Sequence, residues 1–206
     1  MAFLWCAGLG CGKTLSAVKT LKKLREAYPG AVVCSNLDIR GVSDVIPFTS
    51  YEQIIDMDNG MFGIIFLIDE IHLLWNSLES KSIPVSEIAQ FCQMRKKRRI
   101  ILGTSQVYSR VAKPIREQLK YVILCNNYFK YFQINTIIDP NSEGYSGESD
   151  GSFEGHVVGR KMFFHSPDDY RAYDTLNRIS RIERKAIIKE SKAKKKKEGS
   201  AVHESV

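Results

Sequence analysis

Residues 7–14 read AGLGCGKT, with three glycines inside five residues, set between an apolar FLWC at 3–6 and a helix-compatible TLSAVKTLKKL at 14–24. Glycine within a regular element costs roughly 0.5–1 kcal/mol against alanine, so such a cluster suits a backbone geometry that other residues reach poorly. A strand, a tight glycine loop and a helix fit that placement. In this geometry consecutive backbone N–H groups turn inward around an anion and the helix N-terminus adds its positive dipole, while a lysine reaches the outer phosphates. Lys13 stands where that lysine is needed, and Thr14 supplies a hydroxyl for Mg²⁺.

The pattern is a Walker A motif with one departure, because Ala7 occupies the place of the usual first glycine. A strand before and a helix after are the context this motif requires. Gly8, Leu9, Gly10, Cys11, Gly12, Lys13, Thr14 and Leu15 are therefore the expected nucleotide-binding segment, with ATP and Mg²⁺ as the ligands.

A second motif strengthens the first. The run FGIIFLIDEIHLLW carries an apolar strand to Asp69 and Glu70. In a parallel sheet, ligands bind beyond the carboxyl ends of the strands, so an aspartate at such a tip lies beside the phosphate loop. Asp69 is expected to hold the water shell of Mg²⁺, and Glu70 to polarise a water for in-line attack on the γ-phosphate. His72, two residues further on, reads as a packing or hydrogen-bonding residue rather than a catalytic one.

The rest of the chain reads as alternating short apolar runs and helical patterns. Strands are expected at 2–6, 31–36, 63–69, 99–105 and 121–126, and helices at 13–27, 50–57, 86–97 and 113–119. Continuously apolar strands separated by helices signal a mostly parallel sheet covered on both faces, an α/β fold. From 128 the pattern changes to YFKYFQINTIID, a polar stretch over 141–155 and HVVGRKMFFHS, which reads as a β-hairpin appended to the sheet over about 128–166. Residues 168–190 are expected to be helical. One ATPase domain over 1–190 and a basic, disordered tail over 191–206 follow from this reading.

Charge is unevenly placed. Of 30 Lys and Arg and 23 Asp and Glu, residues 178–198 hold ten basic and three acidic, the whole excess of +7. Such a tail can bind nucleic acid or an anionic membrane by counterion release, or simply keep a protein soluble. The longest apolar run, GIIFLI at 63–68, is far short of the roughly 20 residues that span a bilayer, and no signal peptide is visible at the N-terminus. A cytosolic protein with no integral membrane span is expected. The five cysteines are an odd number with no CxxC pair, which indicates neither a disulfide framework nor a zinc site. They read as reduced structural residues, with Cys11, exposed in the phosphate loop, as the one that could react.

In RKKRRIILGTSQ at 95–106, a basic turn feeds a buried strand ending in Thr104, Ser105 and Gln106. A polar side chain at the tip of the strand beside Asp69 can reach the γ-phosphate or its water, which makes Gln106 the sensor candidate. The basic cluster has two readings, a solvated helix end favoured by the macrodipole or an arginine finger reaching a neighbouring subunit's nucleotide.

The order GxGKT, CSNLDI, IIFLIDEIH and RKKRRIILGTSQ over about residues 1–126 resembles the FtsK and HerA superfamily of P-loop motor ATPases. Within it the chain looks like the zonula occludens toxin-like proteins of filamentous phages and the genome-packaging ATPases of tailless, membrane-containing icosahedral viruses. By this resemblance Lys13 and Thr14 carry phosphate and Mg²⁺, Asp69 the metal, Glu70 the water and Gln106 the sensing. An arginine eleven residues before that glutamine is the superfamily's trans contact, which lands on Arg95. The toxin-like group places a transmembrane helix after the ATPase domain, and none is seen here. The resemblance thus implies a viral or phage motor that translocates double-stranded DNA, working as a homo-oligomeric ring, a hexamer being one stoichiometry. Its partners would be capsid or virion-membrane vertex proteins, and its place the host cell cytoplasm or the virion. The alternative is a filamentous-phage assembly or export ATPase acting on a protein or membrane partner.

Overall fold

Five consecutive apolar residues, Ile64–Ile68, are buried without exception, and their side chains divide between two cores. Ile64, Phe66 and Ile68 pack on one face of a sheet, while Ile65 and Leu67 pack on the other with Ala17, Val18 and Leu21 of the first helix. Burying such a side chain contributes roughly 1.5–3 kcal/mol, so a strand of this kind is stable only where both faces are covered.

The computed structural model describes residues 1–142 and 156–174. In chain order the elements are β1 (Ala2–Cys6), α1 (Lys13–Ala27), β2 (Val32–Ser35), β3 (Asp38–Ile39), β4 (Val45–Pro47), α2 (Glu52–Asp56), β5 (Ile64–Ile68), α3 (Val85–Cys92), β6 (Arg99–Ser105), α4 (Lys113–Arg116), β7 (Leu119–Tyr128), β8 (Phe132–Asp139), β9 (His156–Phe164), α5 (Pro167–Arg171) and β10 (Tyr173–Asp174). The main sheet runs β4-β2-β5-β6-β1-β7-β8-β9. Its first six strands are parallel, and β8 and β9 extend it antiparallel. The expected α/β class with an appended hairpin is therefore what the chain adopts. Because β1, β5 and β6 are parallel neighbours, the residues that follow each of them emerge together at one edge.

Differences from the expected elements have local causes. The helix over 86–97 stops at Cys92, where residues 93–98 continue as turns. Arg98 takes a left-handed φ of 51°, and the Arg99 N–H returns to the Met94 carbonyl at 2.9 Å, a helix-terminating arrangement usually built on glycine. The helix at 113–119 is cut to four residues because Leu119 already pairs with Ala2. Tyr128 belongs to β7 rather than to the returning strand: Phe129 and Lys130, with φ of 54° and 67°, reverse the chain, and Tyr131 N–H reaches the Tyr128 carbonyl at 3.3 Å. Of the helix expected over 168–190, the described residues hold α5, after which Ala172 enters the core beside α1 and Tyr173–Asp174 pairs antiparallel with β3. The remainder of that helix, the tail and most of the polar stretch at 141–155 lie outside the described residues. Among the described residues no helix is long and apolar enough to cross a membrane.

Within the basic run Arg95, Lys96 and Arg98 are exposed, as a solvated helix end has them, whereas Arg99 is not. It is buried, and its guanidinium donates to the carbonyls of Ile54, Ile55 and Met57 at the end of α2. Burial lowers its pKa, opposed by the nearby Asp58 and Asp56. Arg99→Ala strands the buried Ile54 carbonyl and two partly buried ones and is expected to destabilise the protein by about 1–3 kcal/mol, read as a lower midpoint in chemical denaturation. A midpoint unchanged from the wild type would show that these contacts do not hold α2.

Candidate functional site

The loop between β1 and α1 lies at the middle of the sheet, with β6 and β7 on either side of β1. Gly10 and Gly12 take left-handed φ values of 74° and 73°, and Gly12 is the N-cap of α1 with no side-chain cap. Ala7 is tolerated at the motif's first position because its φ is not left-handed and its methyl packs on the α1-side core. Lys13 is buried, and its Nζ donates to the Gly8 carbonyl at 3.0 Å, which holds the ammonium over the loop. Trp5 of β1 donates from Nε1 to Ser16 Oγ at 2.9 Å and ties the helix to the strand beneath it.

Asp69 follows β5 and sits where two hydroxyls converge. Thr14 Oγ1 donates to Asp69 Oδ1 at 2.8 Å, and Thr104 Oγ1 donates to the same oxygen at 2.7 Å. Asn36 clamps the Asp69 backbone from both sides, accepting from its N–H at 2.8 Å and donating to its carbonyl at 3.0 Å. Thr14 and Asp69 supply two hard oxygen donors, which would suit Mg²⁺. Among the described residues no cluster of three or more His, Cys, Asp or Glu is placed to hold a metal by protein ligands alone.

Glu70 adopts φ 54° and ψ 51°, a left-handed conformation that costs a residue with a β-carbon roughly 1–2 kcal/mol. The Thr104 hydroxyl accepts its backbone N–H at 2.9 Å, which holds it there. Its side chain turns back across the strand ends, where Gln106 Nε2 donates to Oε1 at 3.2 Å. Oε2 is buried without a directed hydrogen bond, and His72 Nδ1 lies 3.3 Å from it. Ser105 Oγ, 3.2 Å from the same nitrogen, donates to the Val107 carbonyl, so His72 Nδ1 carries the proton in this arrangement. His72 thus makes the hydrogen-bonding contact expected of it.

Lys13, Thr14, Asp69, Glu70 and Gln106 are brought together. Arg95 is not. It is exposed and shares a cleft with Met1, Ala2 and Leu119 at the amino ends of the strands. The cradle follows the other end of β1, whose five residues span roughly 16 Å. Cys11 is half-buried rather than exposed, and Cys92 is the exposed thiol. Burial pushes the thiols of Cys34 and Cys125 up to about 12, consistent with structural roles.

Two contributions are poorly marked in the sequence. Thr104 stands out there only as one of several polar residues at a strand tip. Gln133 of β8 and Asn127, near the end of β7, donate to the carbonyls of Gly12 at 3.2 Å and Gly10 at 3.4 Å.

No family model matches the sequence, and no curated protein matches it. Solved structures do resemble it. The N-terminal domain of zonular occludens toxin from Neisseria meningitidis superposes with a TM-score of 0.58 at 13% identity, covering 84% of this chain and 98% of that one. The genome packaging NTPase of Sulfolobus turreted icosahedral virus 2, in complex with ATP-gammaS, superposes with a TM-score of 0.52 at 9% identity over 81% of this chain and 96% of that one. The DNA-packaging ATPase of Sulfolobus turreted icosahedral virus gives 0.51 at 10% identity, over 81% and 97%. These belong to the two groups that the motif order resembles, and at such identities the likeness is one of fold. The chain has the P-loop NTPase fold, in the form found in a zonular occludens toxin domain and in viral genome-packaging ATPases.

Proposed function

We propose that the protein is an ATPase that drives the movement of double-stranded DNA during assembly of a virus or phage particle. The observation that carries the hydrolytic part is the Glu70–Gln106 pair set beside the Thr14–Asp69 pair, both at the mouth of the glycine loop. A binding module needs the cradle but has no use for a strained, buried carboxylate next to it.

The roles divide as follows. The loop N–H groups and Lys13 would hold the β- and γ-phosphates, and Thr14 and Asp69 would hold Mg²⁺, which would supply charge neutralisation at the phosphates. Glu70 orients the attacking water and takes its proton. Gln106 holds Glu70 Oε1 in place and senses the γ-phosphate. Arg95, remote from its own site, completes the site of a neighbour in a ring. Cleavage is then coupled to subunit movement.

The likeness to packaging ATPases supports DNA as the moved partner, and so does the concentration of positive charge in 178–198. The likeness to the toxin domain supports a second reading equally, an assembly or export ATPase that works on a protein or membrane partner. Duplex DNA distinguishes them. In the first reading it stimulates ATP turnover, and deleting residues 191–206 weakens DNA binding and flattens its salt dependence by about 0.9 in the log–log slope for each phosphate that the tail neutralises. Turnover indifferent to duplex DNA, with affinity and slope unchanged by the deletion, favours the second.

A further inference from the structure

A polar side chain buried in a sheet needs a reason, and Gln133 has 0% of its surface exposed. It lies on β8 and faces α1. Its Nε2 donates to the Gly12 carbonyl at 3.2 Å and to Asn135 Oδ1 at 2.8 Å, which uses both amide protons. Those two acceptors fix the amide orientation, so Oε1 is the atom that faces His165 Nε2 at 2.7 Å and accepts its proton. Asn135 passes the order on, since its Nδ2 donates to Ser16 Oγ on the first turn of α1. Every polar atom of the Gln133 side chain is thus engaged.

The contact bears on the cradle through the planarity of the peptide. The carbonyl of Gly12 and the N–H of Lys13 belong to one trans peptide and point in opposite directions. That carbonyl accepts Ser16 N–H at 2.9 Å from within the helix and Gln133 Nε2 from outside it, so the Lys13 N–H is aimed out of the helix N-terminus, toward an anion. Asn127 makes the equivalent, longer contact to Gly10, whose carbonyl shares its peptide with the Cys11 N–H. Gln133 also lies against the Gly12 α-carbon: a β-carbon there would stand 2.1 Å from its Oε1.

We propose that Gln133 is a positioning residue for the phosphate cradle, holding the Gly12 carbonyl so that the Lys13 N–H points at the nucleotide. The antiparallel extension thereby sets part of the affinity of a site built on the parallel strands. His165 sets the Gln133 amide in turn. The inference rests on the reading of the loop as an ATP site.

Gln133→Met keeps length and volume and removes both donors. It is expected to weaken ATP binding and raise KM about tenfold with kcat within twofold, the pattern of an interaction made equally in ground and transition states. Hydrogen exchange at the Ser16 amide in the nucleotide-free protein should quicken about tenfold relative to the amides at the far end of α1, while the thermal midpoint falls because Asn135 Oδ1 and His165 Nε2 lose their partner. His165→Phe, nearer the surface, leaves Gln133 in place but frees its amide to turn, and should weaken ATP binding about threefold. It serves where the first variant does not fold. Unchanged affinity in the variants, or an equal fall in kcat and kcat/KM, overturns the proposal. If the wild type binds no ATP, the reading of the site fails, and Ser16 exchange alone then decides: faster in Gln133→Met supports the positioning role, unchanged refutes it.

Discussion

Glu70→Gln is expected to bind ATP about as tightly as the wild type and to turn it over about 10²–10⁴-fold more slowly, the usual contribution of a positioned acid–base group. The substitution keeps the shape and the contact with Gln106 but removes the carboxylate that takes a proton from water. Lys13→Ala separates from it cleanly. Lys13 is buried with its ammonium held over the loop at the Gly8 carbonyl, so its loss removes the charge that meets the β- and γ-phosphates, and hydrolysis is abolished. Nucleotide affinity and phosphate release measured on both variants give the test. Near-normal turnover in Glu70→Gln removes Glu70 from the hydrolytic role.

Arg95→Ala should bind ATP normally and hydrolyse it about 10³–10⁵-fold more slowly, the range attributed to arginine fingers supplied in trans. The expectation comes from position. Arg95 is exposed at the amino ends of the strands, beside Met1, and cannot serve the cradle at the opposite ends. Of its neighbours, Arg99 is held by the carbonyls at the end of α2, Arg98 donates to the Met61 carbonyl and Lys97 donates to Gln90. That leaves Arg95 and Lys96 as the basic side chains to test first. Mixing Arg95→Ala with Lys13→Ala subunits should restore part of the activity, because a Lys13→Ala subunit still offers its arginine to an intact site next door. If mixing restores nothing, and turnover per subunit stays constant on dilution to a proven monomer, the nucleotide site is complete within one chain.

What could be read from the sequence follows where burial and local chemistry agree. Helix α1 falls on its expected residues because Gly12 marks its start and its apolar positions fall on one face. Strands β1, β5 and β6 are legible because residues buried on both faces are mostly apolar, and the residues at their carboxyl ends carry the chemistry into view. The short pairs β3, β4 and β10 are not, since two or three residues carry no period and their pairing is decided by what packs beside them. The turn at Phe129 and Lys130 left no glycine to mark it. Strand β8 shows what alternation alone leaves open. It places Gln133 and Asn135 on one face and Phe132 and Ile134 on the other, and the polar pair is the buried one, under the start of α1, while Phe132 and Ile134 are half-buried. That face meets the Gly12 carbonyl and the Ser16 hydroxyl, which accept from Gln133 and Asn135.

Phosphate release from ATP by the wild-type protein, measured with Mg²⁺ and again with Mg²⁺ chelated, tests the central claim most directly. Steady release with Mg²⁺ that stops on chelation is the predicted result. No release with Mg²⁺ present, or release that chelation leaves unchanged, contradicts the assignment of this site to Mg²⁺-dependent ATP hydrolysis.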